Sequence, residues 1–480
     1  MKTRTLWAIA ITLLMALGAC SHDSDNVLRT IPADSEMVAK INLNAILSSA
    51  GCKEDGGKWQ LGSELEALTK EMNDGERMKL LGAIDAIPAV DADNIYIFRY
   101  RTNTVLTCGL KHSDALAAEL EKEYGEPVSF DGLKVYDSMF AIRGNQMWIT
   151  DRTDLIADML KAAQKTSAAD CAPMEDCFSA GESDIAVCTN YAASLRNVAM
   201  IMPGFSMPEE FTNSYAIYKI HFDGNSARME GSVVNDKMKT ISAHEYMKPI
   251  GSDVCAFMPA RPAAAFAMGK FDEKIIDVLK SSVPGYARSQ VSEVLDALDG
   301  SICMGIAPPA SFENLLQPEL WTLTIAVQCK KDKAEELLGL LPMLAQNDNA
   351  ELTQMDDQTR LCFKGGLRKR HDLNVYIGYF GGTLVASTQP VAADSNKDLG
   401  RKIGNSYFAG IADMPASGET IKGLGLPFGL TGEMHTGKDD FSGHATLDGS
   451  DRPFLAAIIG AFTDDAMHRR VGETIGRLAE

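Results

Sequence analysis

Long hydrophobic runs, aromatic side chains and positive charge are all scarce in this 480-residue sequence. Beyond residue 19, no segment has the eighteen consecutive apolar residues that indicate a membrane-spanning helix, so we expect no later membrane crossing. Aromatic residues form 7% of the chain, which is modest for a groove that stacks sugars. Lys and Arg number 46 against 65 Asp and Glu, a net charge of −19. Such an acidic surface repels phosphate backbones, so nucleic acid is excluded as a partner.

Catalytic and cofactor motifs are also missing. The sequence contains no Gly-x-Ser-x-Gly elbow, no His-Glu-x-x-His pair and no Ser-x-x-Lys with its companions. The stretch 432–439 imitates a phosphate-binding loop, but Asp439 stands where Ser or Thr should follow Lys438, and an alternating strand comes next. We interpret it as a hairpin turn. We therefore predict no catalytic residue and no cofactor, while paired carboxylates for sugar cleavage stay open because their partners can lie far apart in sequence.

Two histidines flank the same turn and raise the question of a metal site. Counting back from the turn places His435 near Asp440, with His444 several residues further along its strand. Zinc needs three or four protein ligands, so two histidines do not make a site. We predict that both are strand residues facing solvent and that the chain holds no metal.

Clusters of acidic and amide side chains could offer oxygen ligands to calcium. Asp91, Asp93 and Asn94 form one cluster and residues 347–351 another. Neither has the spacing of a calcium-binding loop or a Glu at the closing position. We interpret both clusters as polar turns.

Ten cysteines could form a disulfide framework, but the residues around most of them argue against it. Most sit in or beside apolar runs, where a free thiol packs as a small hydrophobe: Cys108, Cys188, Cys255, Cys303, Cys329 and Cys362. Cys171 and Cys177 differ, because the stretch between them is polar, contains Pro173 and is typical of a loop. We expect a local disulfide between Cys171 and Cys177, with zinc as the alternative although no second Cys or His pair accompanies them.

The N-terminus carries the most specific pattern. Lys2 and Arg4 precede an apolar run from Leu6 to Leu17, too short to span a bilayer. The run ends in Leu-Gly-Ala-Cys at 17–20, which resembles the lipobox of bacterial lipoproteins. The resemblance implies cleavage before Cys20, a diacylglycerol on its sulfur and usually a third acyl chain, enough for stable anchoring to a membrane.

Sorting and domain limits follow from this start. Residues 1–19 are the predicted signal peptide and 20–27 the lipidated tether. In lipoprotein sorting, Ser21 rather than Asp after the lipidated cysteine implies the outer membrane, and the partly acidic leader resembles a surface-export signal of Bacteroidota. We expect an outer-membrane lipoprotein that faces either the periplasm or the cell surface.

The folded part opens with Ile31-Pro-Ala-Asp34, then an alternating strand that closes with Asn42 and Leu43. Together with the lipobox before it, this opening resembles an uncharacterised family of Bacteroidota lipoproteins, which are classed as domains of unknown function. The resemblance implies location and lineage and brings no activity with it.

The opening recurs about 227 positions later, from Met258 to Lys270. Three further stretches recur in the same order: 104–110 as 322–328, Val135-Tyr136 as Val375-Tyr376, and 228–234 as 440–446. We predict two tandem homologous α+β domains, 28–246 and 252–456, with a break near 248–251. Their sheets should be largely antiparallel with helices on one face. Residues 457–480 should form a C-terminal helical cap on the second domain.

Several short stretches of the sequence predict particular strands, helix ends and turns. Residues 94–100 alternate, with Ile95 on one face and Tyr96 on the other. Gly125 should end a helix that begins near Ser113, and a hairpin turn should centre on Gly224. Asp332 with Glu335 three residues later predicts a helix start.

These features favour a non-enzymatic lipoprotein of the cell envelope that binds a protein or polymer or serves an assembly. The alternative is a hydrolase of an envelope or dietary polymer, with carboxylates in the cleft between the halves. A structural adhesin subunit, which would expose a pairing-ready edge strand, is a third hypothesis.

Overall fold

A computed structural model describes residues 27–55, 58–71, 89–179, 183–194, 212–282, 288–309, 320–347, 350–364, 372–392, 396–414, 429–450 and 452–462. Within these residues the chain divides into two compact units: the first holds everything up to 241 together with 452–462, and the second holds 242–450. The predicted break near 248–251 therefore lies a few residues inside the second unit. No helix among the described residues is long and apolar enough to cross a membrane.

The first unit is built on one antiparallel sheet. Its strands run in the spatial order β12-β11-β10-β1-β4-β5-β9-β8-β7-β6. The strands are β1 Met37–Ile41, β4 Val90–Tyr100, β5 Asn103–Leu110, β6 Val128–Phe130, β7 Leu133–Tyr136, β8 Phe140–Arg143, β9 Gln146–Ile149, β10 Ile185–Asn190, β11 Ser214–Asp223 and β12 Ser226–Asn235. A separate two-stranded hairpin joins β2 Lys53–Asp55 to β3 Lys58–Gln60. The predicted turn at Gly224 is confirmed, since Asp223 pairs with Ser226 and Gly224 has a φ of 54°.

The described helices that accompany this sheet include α1 Leu43–Ser49, α2 Ser63–Glu71, α3 Ser113–Tyr124, α4 Asp154–Ala163 and α5 Ala172–Ser179. The helix predicted to start at Ser113 and stop before Gly125 is confirmed at both ends. Gly125 has a φ of 84°, a left-handed conformation that glycine adopts without steric penalty.

Central strand β4 has apolar residues on both faces, and each face has its own core. Ile95 packs in a cluster with Leu43 of α1 and Leu65 of α2. Tyr96 and Phe98 point to the other face. Their cluster includes side chains of α4 and α5: Ile156, Met159, Leu160, Met174 and Phe178. The prediction of helices on one face is therefore wrong for this unit, because a strand apolar on both sides needs cover on both.

The second unit repeats this strand order with its own strands, β22-β21-β20-β13-β14-β15-β19-β18-β17-β16. All pairings are antiparallel. The strands are β13 Ala264–Met268, β14 Leu298–Ala307, β15 Thr322–Cys329, β16 Ala350–Gln354, β17 Gln358–Phe363, β18 Leu373–Phe380, β19 Thr383–Ser387, β20 Phe408–Met414, β21 Gly429–Thr436 and β22 Phe441–Asp448. Mixed α+β structure with antiparallel sheets is thus present in both units.

The helices of the second unit are α6 Ser252–Cys255, α7 Glu273–Ser282, α8 Arg288–Ala297, α9 Lys331–Asn347 and α10 Lys397–Ile403. Its main core joins Val254 of α6 and Leu399 of α10 to small side chains of the sheet, such as Ala267 and Cys303. Small sheet residues let these helices approach closely: a Cβ on Gly400 would meet the backbone of Ser252.

One sequence prediction in this unit is confirmed in part, and another is wrong. The helix start predicted at Asp332 is confirmed to within one residue, since α9 begins at Lys331, but Asp332 then lies in the first turn and does not cap the helix. Val375 and Tyr376 lie in β18, which takes the place that β8 has in the first sheet, whereas Val135 and Tyr136 lie in β7. Short strands with the same alternation look alike in sequence, which explains the false match.

The last described helix is α11, Phe454–Phe462. It packs on α1, α2 and β11 of the first unit, with the Phe454 and Phe222 rings 6.2 Å apart. The backbone N–H of Phe454 also donates to the carbonyl of Gly224 at 2.8 Å. Our expectation that the C-terminal helix caps the second domain is therefore wrong for these residues; 463–480 lie outside the described chain.

Candidate functional site

One pocket among the described residues lies in the first unit, where α1 begins beside the β2–β3 hairpin and the start of β4. Its volume is about 580 Å³, within the range of small-ligand sites. It is open to solvent and shallow. The lining residues are Asn42, Asn44, Ala45, Ser48, Cys52, Lys53, Glu54, Trp59 and Asp93.

Two asparagines form the helix side of this pocket. Asn42 caps α1, because its Oδ1 accepts a hydrogen bond from the backbone N–H of Ala45 at 3.1 Å. Asn44 donates from Nδ2 to Oδ1 of Asp93 at 2.9 Å. The Oδ1 of Asn44 is buried and has no hydrogen-bond partner among the described residues. An unpaired buried acceptor is unfavourable, so a donor from water or ligand would stabilise it.

A bulge in β4 places Asp93 at the pocket, whereas Asp91 is buried and does not line it. The pairing with β5 passes from Val90 opposite Leu110 to Ile95 opposite Cys108, so extra residues of β4 loop out between these pairs. Asp91 is 1% exposed and accepts a hydrogen bond from Asn94 at 2.9 Å. The interpretation of this stretch as a polar turn is wrong, because it is a bulged and largely buried part of a strand.

Lys40 approaches the same bulge from β1. Burial lowers the pKa of its ammonium group, while the charges of Asp91 and Asp93 act against that shift. Its Nζ lies 3.4 Å from the carbonyl oxygen of Phe178, a long hydrogen bond. The Lys40 charge therefore interacts electrostatically with the carboxylates of Asp91 and Asp93.

The hairpin supplies the opposite wall. Glu54 of β2 pairs directly with Trp59 of β3, so their side chains lie on the same face. Trp59 also packs against the cluster that contains Leu43 and Leu47. The indole is therefore supported by the core on one side while it lines the pocket on the other.

The pocket combines an indole, two amides, two carboxylates and the Lys53 ammonium. Together these groups can donate and accept several hydrogen bonds beside the apolar face of the indole. Such a lining suits a polar ligand that also has an apolar surface.

In the second unit, the two histidines lie on the β21–β22 hairpin. His435 pairs with Ser442, and His444 pairs with Glu433, so the two imidazoles share one face of the sheet. The expected proximity of His435 to Asp440 is not what the pairing gives. No group of three possible metal ligands occurs among the described residues. The turn itself, at the end of the stretch that imitates a phosphate-binding loop, is confirmed as a hairpin.

His435 links a hydroxyl to a carboxylate. Its Nδ1 lies 3.1 Å from Oγ of Ser406, and its Nε2 lies 3.6 Å from Glu433. Ser406 is 8% exposed and follows Asn405, whose φ of 72° is left-handed. Glu433 and His444 also line a smaller pocket of about 200 Å³.

Cys171 and Cys177 do not form the predicted disulfide; both thiols are free. The stretch is not a loop, since α5 spans Ala172–Ser179 and Cys171 directly precedes it. Six residues along a helix advance the chain by about 9 Å, beyond the reach of a disulfide. Cys20 and the predicted signal peptide lie outside the described residues.

Searches of protein-family models, curated proteins and solved structures found no match to this chain. The resemblance to Bacteroidota lipoproteins stays a prediction.

Sequence reasoning missed the pocket in the first unit. In the sequence, Asn42 stands out at the close of the first predicted strand and Asp93 stands out in an acidic cluster. No sequence pattern points to Trp59. The three come from separate segments that only the fold brings together.

Proposed function

We propose that this chain is an outer-membrane lipoprotein with a non-enzymatic binding role in the cell envelope. The pocket beside Trp59 is the observation that carries the binding role, because it offers a fixed indole and several polar groups at one open site. The anchor is the set of acyl chains expected on Cys20. The partner is an envelope protein or polymer, and the acidic net charge argues against nucleic acid.

The anchor is tested by Cys20→Ala in the full chain. We expect the wild-type protein in the membrane fraction, labelled by an alkyne fatty acid, and the variant unlabelled in the soluble fraction. Cys171→Ala is the matched control and should leave both readouts unchanged. Full-length, unacylated wild-type protein inside the cell would contradict the proposal.

We also propose that the two units arose by tandem duplication. Their equal strand order supports this, and so does the offset of 227 between β1 and β13, which are both five residues long. Independent superposition of the two units from an experimental structure is the test. Sheets whose strands fail to superpose in this order would contradict a duplication.

A hydrolase is the second candidate, favoured by one contact. A hydroxyl, an imidazole and a carboxylate in series, as in Ser406, His435 and Glu433, can activate an oxygen nucleophile. A fluorophosphonate probe tests it: labelling lost in Ser406→Ala but kept in Ser442→Ala supports a hydrolase. Absence of labelling in the wild-type protein counts against a serine hydrolase.

A further inference from the structure

We propose that the pocket of the first unit binds a neutral saccharide, with Trp59 stacked against one face of a sugar ring. This deepens the binding role proposed above and rests on it. The inference depends on four features of the pocket: a supported indole, hydrogen-bond donors and acceptors, charges of both signs and an open mouth.

Trp59 provides the flat apolar surface on which a sugar ring would stack. Its indole is held by contact with the core cluster around Leu43 and Leu47, so little side-chain freedom is lost on binding. An aromatic face gives a large apolar contact at low entropic penalty. The C–H face of a sugar ring is the apolar surface that a hydroxyl-rich ligand can offer to it.

The polar groups of the pocket lie around the indole of Trp59. Asn44 and Asp93 are already joined by a hydrogen bond of 2.9 Å, which fixes both side chains. Asn42 is fixed as the cap of α1. Amide and carboxylate groups each accept hydrogen bonds, amides also donate, and sugar hydroxyls do both. The buried Oδ1 of Asn44 lacks a donor among the described residues, and a small movement would let a hydroxyl or a bridging water supply one.

The charges select a neutral ligand. A cationic ligand would meet the ammonium group of Lys53, and an anionic ligand would meet the carboxylates of Glu54 and Asp93. Each would leave a like charge nearby, which opposes binding. A neutral polyol can accept a hydrogen bond from the ammonium group and donate to both carboxylates without repulsion.

The dimensions also fit. A volume of about 580 Å³ exceeds the lower end of the range for small-ligand sites, and the pocket opens to solvent. A sugar at the end of a longer chain can therefore enter while the rest of the glycan stays outside.

The test is calorimetric titration of the mature full chain with maltotriose, cellotriose, mannotriose, xylotriose and lactose. We expect at least one to bind with a Kd between about 1 μM and 1 mM. Trp59→Ala should weaken that binding at least tenfold, and Trp59→Phe should restore part of it. Trp321→Ala, at a half-buried tryptophan of the second unit, should leave it unchanged.

Thermal unfolding of each variant separates lost binding from lost folding. Equal binding by wild type and a folded Trp59→Ala would overturn the proposal, and so would no binding of any of the five probes. Tighter binding of glucosamine or sialyllactose than of lactose would overturn the claim of neutrality. Fatty-acid labelling of Cys20 is independent of these outcomes, so failure here leaves the anchored location to its own test.

Discussion

Asn44 of α1 and Asp93 of the β4 bulge are 49 residues apart in sequence and joined by a hydrogen bond of 2.9 Å. The bond ties the first helix of the unit to the central strand of its sheet. It also fixes two walls of the pocket at once, so the same contact serves stability and the proposed binding site.

Asp93→Ala should therefore destabilise the protein. It removes the acceptor of the Asn44 amide and leaves a half-buried donor without its partner, which costs roughly 1–3 kcal/mol. Urea unfolding measures the loss. Asp55→Ala is the matched control, because Asp55 accepts an exposed hydrogen bond from Gln60, and it should change stability by less than about 0.5 kcal/mol. Equal effects would show that the Asn44–Asp93 bond is not structural.

Lys40 predicts a pH dependence of stability. Burial lowers its folded-state pKa, so between that pKa and the unfolded value of 10.5 the unfolded chain binds more protons at this site. The free energy of unfolding then rises with pH across this window. Below the window, the charged form is disfavoured in the folded state, and Lys40 reduces stability.

Lys40→Met removes this contribution. We expect the variant to gain stability relative to wild type at pH 7, and the gain to shrink as pH approaches 10.5. The comparison cancels the other groups that titrate there. Guanidinium unfolding at several pH values checks it. A constant difference between the two proteins would mean that Asp91 and Asp93 fully compensate the burial of the ammonium group.

Strand periodicity carried most of the fold prediction. The alternation at 94–100 placed Ile95 and Tyr96 on opposite faces, and the structure buries them in separate cores. The same alternation predicts helices on both faces of the sheet, because Tyr96 and Phe98 are too apolar for a face exposed to solvent. The prediction of helices on one face follows the common arrangement in which an antiparallel sheet has one face exposed to solvent.

The errors have physical causes in particular residues. Pro173 was interpreted as a loop residue, but proline is tolerated in the first turn of a helix, which is where α5 places it. The acidic residues around Asp91 are typical of a turn, yet the bulge of β4 buries Asp91, which accepts a hydrogen bond from Asn94. The pocket could not be predicted, because Trp59 reaches it only through the packing of a short hairpin.

Cys171, directly before α5, and Cys177, within it, should behave as thiols. Burial raises the pKa of Cys177 to about 12, so its thiolate is scarce at pH 8. We expect iodoacetamide to leave Cys177 unmodified in the native protein and to modify both cysteines after unfolding without reductant. The tryptic peptide 166–196 contains Cys171, Cys177 and Cys188. A peptide lighter by two hydrogens before reduction would reveal a disulfide and contradict the free thiols of the structure.

Two glycines of the second unit should respond in opposite ways to the same change. Gly269 follows β13, its N–H donates to the carbonyl of Tyr407 at 2.9 Å, and a Cβ there would collide with the backbone carbonyl of Lys248. Backbone cannot move aside as a side chain can, so Gly269→Ala should destabilise by about 1–3 kcal/mol or more. Gly339 lies exposed within α9, and a Cβ there meets nothing within 4 Å. Gly339→Ala should stabilise by roughly 0.5–1 kcal/mol, because alanine loses less backbone entropy in a helix.

Thermal and urea unfolding of both variants provide the measurement. Each variant adds one methyl group to the same unit, so the contrast isolates the surroundings of the two positions. The segment at Lys248 is held close to Gly269, because the backbone N–H of Lys248 donates to the carbonyl of Lys270 at 2.8 Å. An unchanged stability in Gly269→Ala would mean that these two segments can separate without loss, and the packing described for this corner would then be incorrect.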